Sequence, residues 1–301
     1  MSATCARASV HAPRANPARR GVSARRAVRS RARVATAAAA TTTDRDVAVV
    51  TGGAKGIGAA CCELLAEQGW AVVVNHRASS ADAAAALVEK IRASGGLALA
   101  HEADVGVEAD VVAMFDAAAA YGTVKGLVNN AGILMGAKGS KSVSDADADD
   151  LEQIMRVNLV GPVLCCREAV RVMSRKKAPD GGVAPGAGGA IVNVSSGSAV
   201  IGRPLLYAAS KGALNSFQAG AVEELAAHGI RINAVSPGMT DTELVADVVP
   251  TFDFSKIPLG RIGAPSEIAE GVCFLLGERS SYVSGANLRI AGGRAPGNFL
   301  G

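Results

Sequence analysis

One stretch, residues 46–58 (DVAVVTGGAKGIG), limits what this chain can fold into more than any other. A short apolar, β-branched run passes straight into a glycine-rich turn, and a helical pattern follows as far as Gly69. Strand, glycine turn and helix in direct succession let the backbone approach a ligand closely and aim the unpaired N–H groups of the helix N-terminus at it. The spacing Gly52-x-x-x-Gly56-x-Gly58 departs from G-x-G-x-x-G, yet the context is the one in which such a turn cradles a pyrophosphate. Thr51, Gly52, Lys55, Gly56, Ile57 and Gly58 are therefore candidate cofactor-binding residues.

The same alternation recurs along the chain. Apolar runs at 70–76, 97–103, 126–130, 230–236 and 286–290, and one from Ile191 to the serine pair Ser195-Ser196, read as further strands. Helical patterns separate them at 80–94, 107–121, from the acidic stretch 145–150 onward, 207–228 and 265–276. Near Gly161-Pro162 a helix break is expected, with Asn158 beside it. Alternating strands and helices predict an α/β fold, a single doubly wound Rossmann domain with a mostly parallel seven-stranded sheet. In that fold ligand groups sit at the C-terminal ends of the strands.

At the end of the second strand a free ribose 2′-hydroxyl would call for an acidic acceptor, but the chain offers Asn75, His76 and Arg77, with Lys55 nearby in the turn. Two cations there point to a 2′-phosphate and so to NADP(H), against the plainer alternative of solvated cations beside NAD(H). Asp104-Val105 follows the third strand, where the carboxylate serves either an adenine amino group or the cap of the next helix. Asn130, Ala131 and Gly132 follow the fourth, a turn through which the backbone can pass close to a ribose. Pro237-Gly238 ends the sixth and opens an irregular stretch, 239–262, that is a candidate substrate lid.

Tyr207 and Lys211 stand four apart and project from one helix face. A nearby ammonium is expected to lower the phenol pKa and make Tyr207 a general acid/base, with Ser196 holding a substrate oxygen against it.

Composition separates the N-terminus from the rest. Of 301 residues, 49% are hydrophobic and 19% charged, but residues 1–43 hold nine arginines and no acid. Such a basic, hydroxylated segment reads as a transit peptide, chloroplast stromal by its Ala/Ser/Thr content, with the mitochondrial matrix as alternative. Domain boundaries follow: 1–43 leader, 44–301 catalytic domain. Without those nine arginines, 22 Lys+Arg face 27 Asp+Glu, a balance near −5 that argues against a nucleic-acid partner. No apolar run reaches the ~18 residues of a membrane span. The six cysteines, Cys5, Cys61, Cys62, Cys165, Cys166 and Cys273, have no metal-ligand spacing and read as small buried residues.

The motifs TGGAKGIG (51–58), NNAG (129–132), Asn158, Ser196, YAASK (207–211) and SPG (236–238) occur in the order found in the short-chain dehydrogenase/reductase family, which the chain resembles from about residue 46 to 293. Among its members it is similar to 3-oxoacyl-carrier-protein reductases and glucose dehydrogenases. The resemblance implies roles. Tyr207 is the acid/base, Lys211 holds the nicotinamide ribose, Ser196 orients the substrate oxygen and Asn158 supports a proton relay. Gly52, Gly56, Ile57 and Gly58 embrace the pyrophosphate, Asp104-Val105 the adenine, Asn130 and Gly132 the adenosine side, and Pro237-Gly238 the nicotinamide. It also implies a homo-tetramer or dimer. The eleven-residue step from Ser196 to Tyr207 is short for the family, so Ser195 or Ser198 stays open as the active serine.

The expected reaction is hydride transfer between NADP(H) and a carbonyl/secondary-alcohol pair. The substrate is either a 3-oxoacyl group on an acyl carrier protein or another ketone, sugar or polyol. The basic cluster Arg167, Arg171, Arg175, Lys176 and Lys177 is a candidate carrier-docking patch, or a solvated helix end. A non-catalytic NADPH- or RNA-binding protein on the same fold is the alternative from another class.

Overall fold

The valine-rich runs form strands because β-branched side chains suit a pleated surface buried on both sides. In a computed structural model that describes residues 43–134, 142–176 and 186–295, seven strands form: β1 Asp46–Val50, β2 Ala71–His76, β3 Leu97–Glu102, β4 Thr123–Asn129, β5 Gly189–Val194, β6 Ile230–Pro237 and β7 Asn287–Ile290. They make one sheet in the order β3-β2-β1-β4-β5-β6-β7. Every pairing is parallel, so the expected mostly parallel sheet is wholly so. The described residues belong to the unit Ala40–Gly301. The leader assigned to 1–43 lies, apart from Thr43, outside them, as do Cys5 and Lys177.

Among the described residues there are eight α-helices: α1 Gly56–Glu67, α2 Ala81–Ala93, α3 Glu108–Tyr121, α4 Ala148–Met155, α5 Gly161–Met173, α6 Ser198–Ile201, α7 Leu205–Ala227 and α8 Pro265–Leu276. The period of two along β1 sends Ala48 and Val50 into one apolar layer, with α1, α2 and α8, and Val47 and Val49 into the other, with α3, α5 and α7. The five described cysteines are free and buried in these layers, as expected of small apolar residues.

The chain builds outward from β1 through β2 to β3, then returns to place β4 on the other side of β1. That reversal opens a crevice at the C-terminal ends of β1 and β4, where the glycine turn and the Asn130–Gly132 turn meet.

The helix break expected at Gly161-Pro162 is absent. Asp147 caps α4 by accepting from the N–H groups of Asp149 and Asp150 (2.9 and 3.2 Å), and the helix then widens into a π turn, Arg156–Val160, that runs into α5. Pro162 has no N–H for the carbonyl four residues back, that of Asn158, so regular α pairing cannot pass through it. Gly161 instead bonds the carbonyl of Arg156, five residues back. The extra residue puts Asn158 inside the fold.

Candidate functional site

The two turns flanking the crevice are laced together. Thr51 Oγ1 accepts from the N–H groups of Asn130 and Ala131, both at 3.0 Å, while Asn130 Nδ2 donates to the carbonyls of Thr51 and Gly52, both at 3.0 Å. Gly52 adopts φ +60°, a left-handed conformation that favours glycine. A Cβ on Gly58 would stand 2.3 Å from the Gly52 oxygen and 2.5 Å from Asn130 Nδ2, so α1 begins in direct backbone contact with the turn. No side chain caps α1 and no acid lies in its first turn. Exposed N–H groups at a helix start, beneath a cradle with no room for a Cβ, fit the pyrophosphate of a dinucleotide.

Beside this turn lies a cavity of about 150 Å³ whose walls include Gly52, Lys55, Asn75, His76, Arg77, Asp104, Val105, Ala131 and Gly132, so the residues expected around adenosine converge. Their individual roles differ from expectation at one position. Asn75 turns inward, accepting from Gly52 N–H at 3.1 Å and donating to Ala103 O at 3.0 Å; it sets the shape of the turn and is fully engaged with backbone. Asp104 Oδ1 accepts from Gly106 N–H, and α3 is capped instead at Val107, which removes the helix-cap alternative. Both cations have acidic partners: Arg77 pairs with Asp104 at 3.7 Å, and Lys55 with Glu243 at 2.9 Å.

At the other end of the crevice α7 carries Tyr207 and Lys211 one turn apart, and Lys211 Nζ lies 5.8 Å from the tyrosine ring centroid. Lys211 is 3% exposed and donates to Val194 O at 2.8 Å. The expected lowering of the tyrosine pKa is reversed: burial pushes the Tyr207 phenol up, and a hydrogen bond with Ser196 only partly offsets it. Burial likewise lowers Lys211 to about 8. At this group the folded state therefore binds fewer protons than the unfolded chain between about pH 8 and the ordinary lysine value near ~10.4, so Lys211 adds stability as pH rises through that window, against the opposite contribution of the five buried thiols, which stay protonated only in the folded state. Replacing Lys211 by Met should remove its contribution, so that stability falls more steeply with pH across this window than in the wild type, measured as denaturant midpoint against pH.

The geometry distinguishes Ser195 from Ser196. Ser195 is buried and gives its hydroxyl to Asn215 Oδ1 at 2.6 Å. Ser196 Oγ accepts from Ser198 N–H at 3.1 Å and is the serine bonded to Tyr207. The short loop leaves room for α6 and still brings Ser196 to the phenol.

Asn158, fully buried in the π turn, joins three elements. Its Oδ1 accepts from Ile133 N–H at 2.9 Å, and its Nδ2 donates to Ile133 O and to Ser210 Oγ, both at 3.0 Å. Ser210 in turn donates to Tyr207 O at 2.8 Å. A Cβ on Gly132 would lie 3.4 Å from Asn158 Oδ1 and 3.5 Å from Lys211 Nζ, so Gly132 gives both groups access to one space. Sequence reading passed over Ser210; a serine inside a helix bonding three residues back was the available sign.

A cleft of about 1060 Å³ opens over Ser196, Tyr207, Lys211, Gly132 and Pro237-Gly238. Pro237 O accepts from Gly197 N–H at 3.0 Å, which joins this strand end to the serine loop. The stretch expected to be a lid forms three short 3₁₀ turns, Glu243–Val245, Val249–Thr251 and Phe254–Lys256, and lines the cleft through Leu244, Val248 and Phe252. Sequence reading also missed Arg203, Arg289 and Arg294 on the cleft wall. Of the basic cluster read as a candidate carrier-docking patch, Arg167 pairs with Glu108 and Glu168, and Arg171 with Asp116 and Glu168, while Arg175 donates from Nε to Ala187 O at 2.7 Å. Among the described residues no group of His, Cys, Asp and Glu has metal-binding geometry, and no helix is long and apolar enough to cross a membrane.

Residues 52–295 match the family described as enoyl-(acyl carrier protein) reductase. Over 260 residues the chain is 40% identical to an uncharacterized oxidoreductase, YgfF, of Escherichia coli K12, covering 82% of this chain and 99% of that one. It is 41% identical over 254 residues to cis-4-hydroxycyclohexanecarboxylate dehydrogenase of Sinomonas cyclohexanicum, covering 82% and 95%. It is 33% identical over 252 residues to 3-oxoacyl-[acyl-carrier-protein] reductase FabG of Staphylococcus aureus, covering 82% and 96%. These relatives are bacterial enzymes without organelle targeting, and they overturn the chloroplast location expected from the N-terminal composition. With the glycine turn, the Asn130–Gly132 turn, Asn158, Ser196, Tyr207 and Lys211 around one crevice, the chain belongs to the short-chain dehydrogenase/reductase family, a family of nicotinamide-dependent oxidoreductases.

Proposed function

We propose that the protein interconverts a carbonyl and a secondary alcohol with NADP(H), moving the proton at Tyr207 Oη. The observation that carries this reading is the convergence of Ser196, Tyr207 and Lys211 on one cleft that adjoins the glycine turn. When bound, the cofactor supplies or takes up a hydride at the substrate carbon. The rest falls to the chain. Ser196 holds the substrate oxygen against the phenol, and Tyr207 gives its proton to that oxygen in reduction or takes it in oxidation. Lys211 places a cation beneath the ring, and Asn158 fixes α7 to the Ile133 loop so that the groups keep register.

Support for a 2′-phosphate comes from Lys55 and Arg77 on the walls of the adenosine cavity, with no acid at the end of β2. The test is NADPH against NADH kcat/KM for wild type, Lys55→Ala and Arg77→Ala with a panel of ketones. Each substitution should lower the NADPH preference by about tenfold. An unchanged preference would refute the phosphate reading and leave the carbonyl chemistry standing.

A second reading, reduction of a 3-oxoacyl group on an acyl carrier protein, draws on the FabG relative. The ion pairs on Arg167 and Arg171 weigh against a docking face on α5. A carrier-linked ketone in the same panel decides between the two.

A further inference from the structure

The charge on the cleft wall is one-sided. Beyond Lys211, the cleft is lined by Arg203, Lys256, Arg289 and Arg294, and by no Asp or Glu. Elsewhere most cations are neutralised by a carboxylate, as Lys90 is by Glu63, Lys125 by Asp46 and Arg261 by Glu267. Among the described residues no carboxylate pairs with Arg203, Arg289 or Arg294. Lys256 has only Asp253, at 3.8 Å.

Two of these guanidiniums are held in place. Arg294 stacks on the Phe252 ring of the lid, 5.0 Å from its centroid, and its carbonyl accepts from Arg289 Nη2 at 2.6 Å. Arg289 lies on β7 opposite Ser236, one residue before the Pro237-Gly238 turn. A guanidinium held over a ring by cation–π attraction still has N–H groups to offer the two oxygens of a carboxylate. Around them the wall is hydrocarbon from Ile201, Leu205, Met239, Leu244 and Val248. Neither arginine lines the adenosine cavity or the glycine turn, so the charges of the dinucleotide are met by other residues.

Resting on the carbonyl/alcohol reading above, we propose that the substrate is an oxo or hydroxy acid: a carbonyl or secondary alcohol joined through an apolar carbon body to a free carboxylate, which Arg294 and Arg289 grip. The carboxylate takes no part in the redox step. It fixes the distance at which the carbonyl meets Ser196 and Tyr207.

The test compares levulinate and para-oxocyclohexanecarboxylate with their methyl esters, using the full chain and NADPH. The acids should exceed the esters in kcat/KM by about tenfold or more, through KM, the value of one charge-assisted hydrogen-bonded contact. Arg294→Gln and Arg289→Gln should each bring the acid-to-ester ratio toward one. Equal use of acid and ester by the wild type, or an unmoved ratio in both variants, overturns the proposal while ester turnover keeps the oxidoreductase reading intact. Calorimetry on the NADP⁺-loaded protein gives a readout that needs no turnover. Selective acid binding that Arg294→Gln abolishes supports the carboxylate site even if the redox reading fails, and absence of selective binding overturns it.

Discussion

Tyr207→Phe is expected to lower kcat for carbonyl reduction by about 10³-fold, with little change in stability or NADPH affinity. The substitution removes one oxygen. The ring stays over Lys211 at its 5.8 Å separation, and the Tyr207 carbonyl still accepts from Ser210. Lost with the hydroxyl are the proton that the substrate oxygen must receive and the hydrogen bond with Ser196. Because burial raises the phenol pKa, the wild-type proton stays in place through neutral pH, which suits donation to a ketone. Oxidation of the alcohol needs the phenolate and should climb with pH on the alkaline side. Steady-state rates in both directions, beside calorimetric NADPH binding and thermal unfolding, check the set. Undiminished reduction by the variant would sink the assignment of Tyr207.

Gly58→Ala should be nearly as damaging, for a steric reason. Its methyl group would fall 2.3 Å from the Gly52 oxygen and 2.5 Å from Asn130 Nδ2, and the nearer of these is backbone. Either α1 or the Asn130–Gly132 turn must withdraw. A displacement on the order of 1 Å at a positioning element costs about 10²-fold, and overpacking of this kind destabilises by about 1–3 kcal/mol. We expect NADPH affinity to fall by about 10²-fold. Gly220→Ala is the control: it lies within α7, has no atom within 4 Å of the new methyl group, and should stabilise by about 0.5–1 kcal/mol. Binding isotherms and urea midpoints for the two variants separate a crowded cradle from a general effect of alanine.

How far the sequence foretold this arrangement depended on whether the deciding contacts were local. The strands were legible since Val72, Val73 and Val74 or Ile191 and Val192 demand burial whatever surrounds them. The glycine turn and the Tyr207–Lys211 pair were legible from spacing alone. The tyrosine pKa was not, because the sign is set by how deeply α7 packs, and sequence shows only the neighbouring ammonium. Asn75 read as a cofactor contact; its inward turn depends on Ala103, 28 residues away just past the end of the adjoining strand. The pairing of Lys55 with Glu243 spans 188 positions. Pro162 read as a break because helix rules assume pairing four residues back, and the π turn satisfies the backbone differently. The arginines on the cleft wall escaped notice because Arg203, Arg289 and Arg294 belong to no common motif; only the fold gathers them.

The buried cysteines bear on how opening of this protein can be followed. Cys61, Cys62 and Cys273 sit in one apolar layer, Cys165 and Cys166 in the other, and burial raises every one of these thiols, Cys166 and Cys273 to about 12. A thiol held protonated and out of contact with water is chemically silent toward alkylating reagents, and it gains reactivity only when its layer parts. Each face of the sheet thus carries its own clock, wound by folding and started by local unfolding, and the two need not run at the same rate.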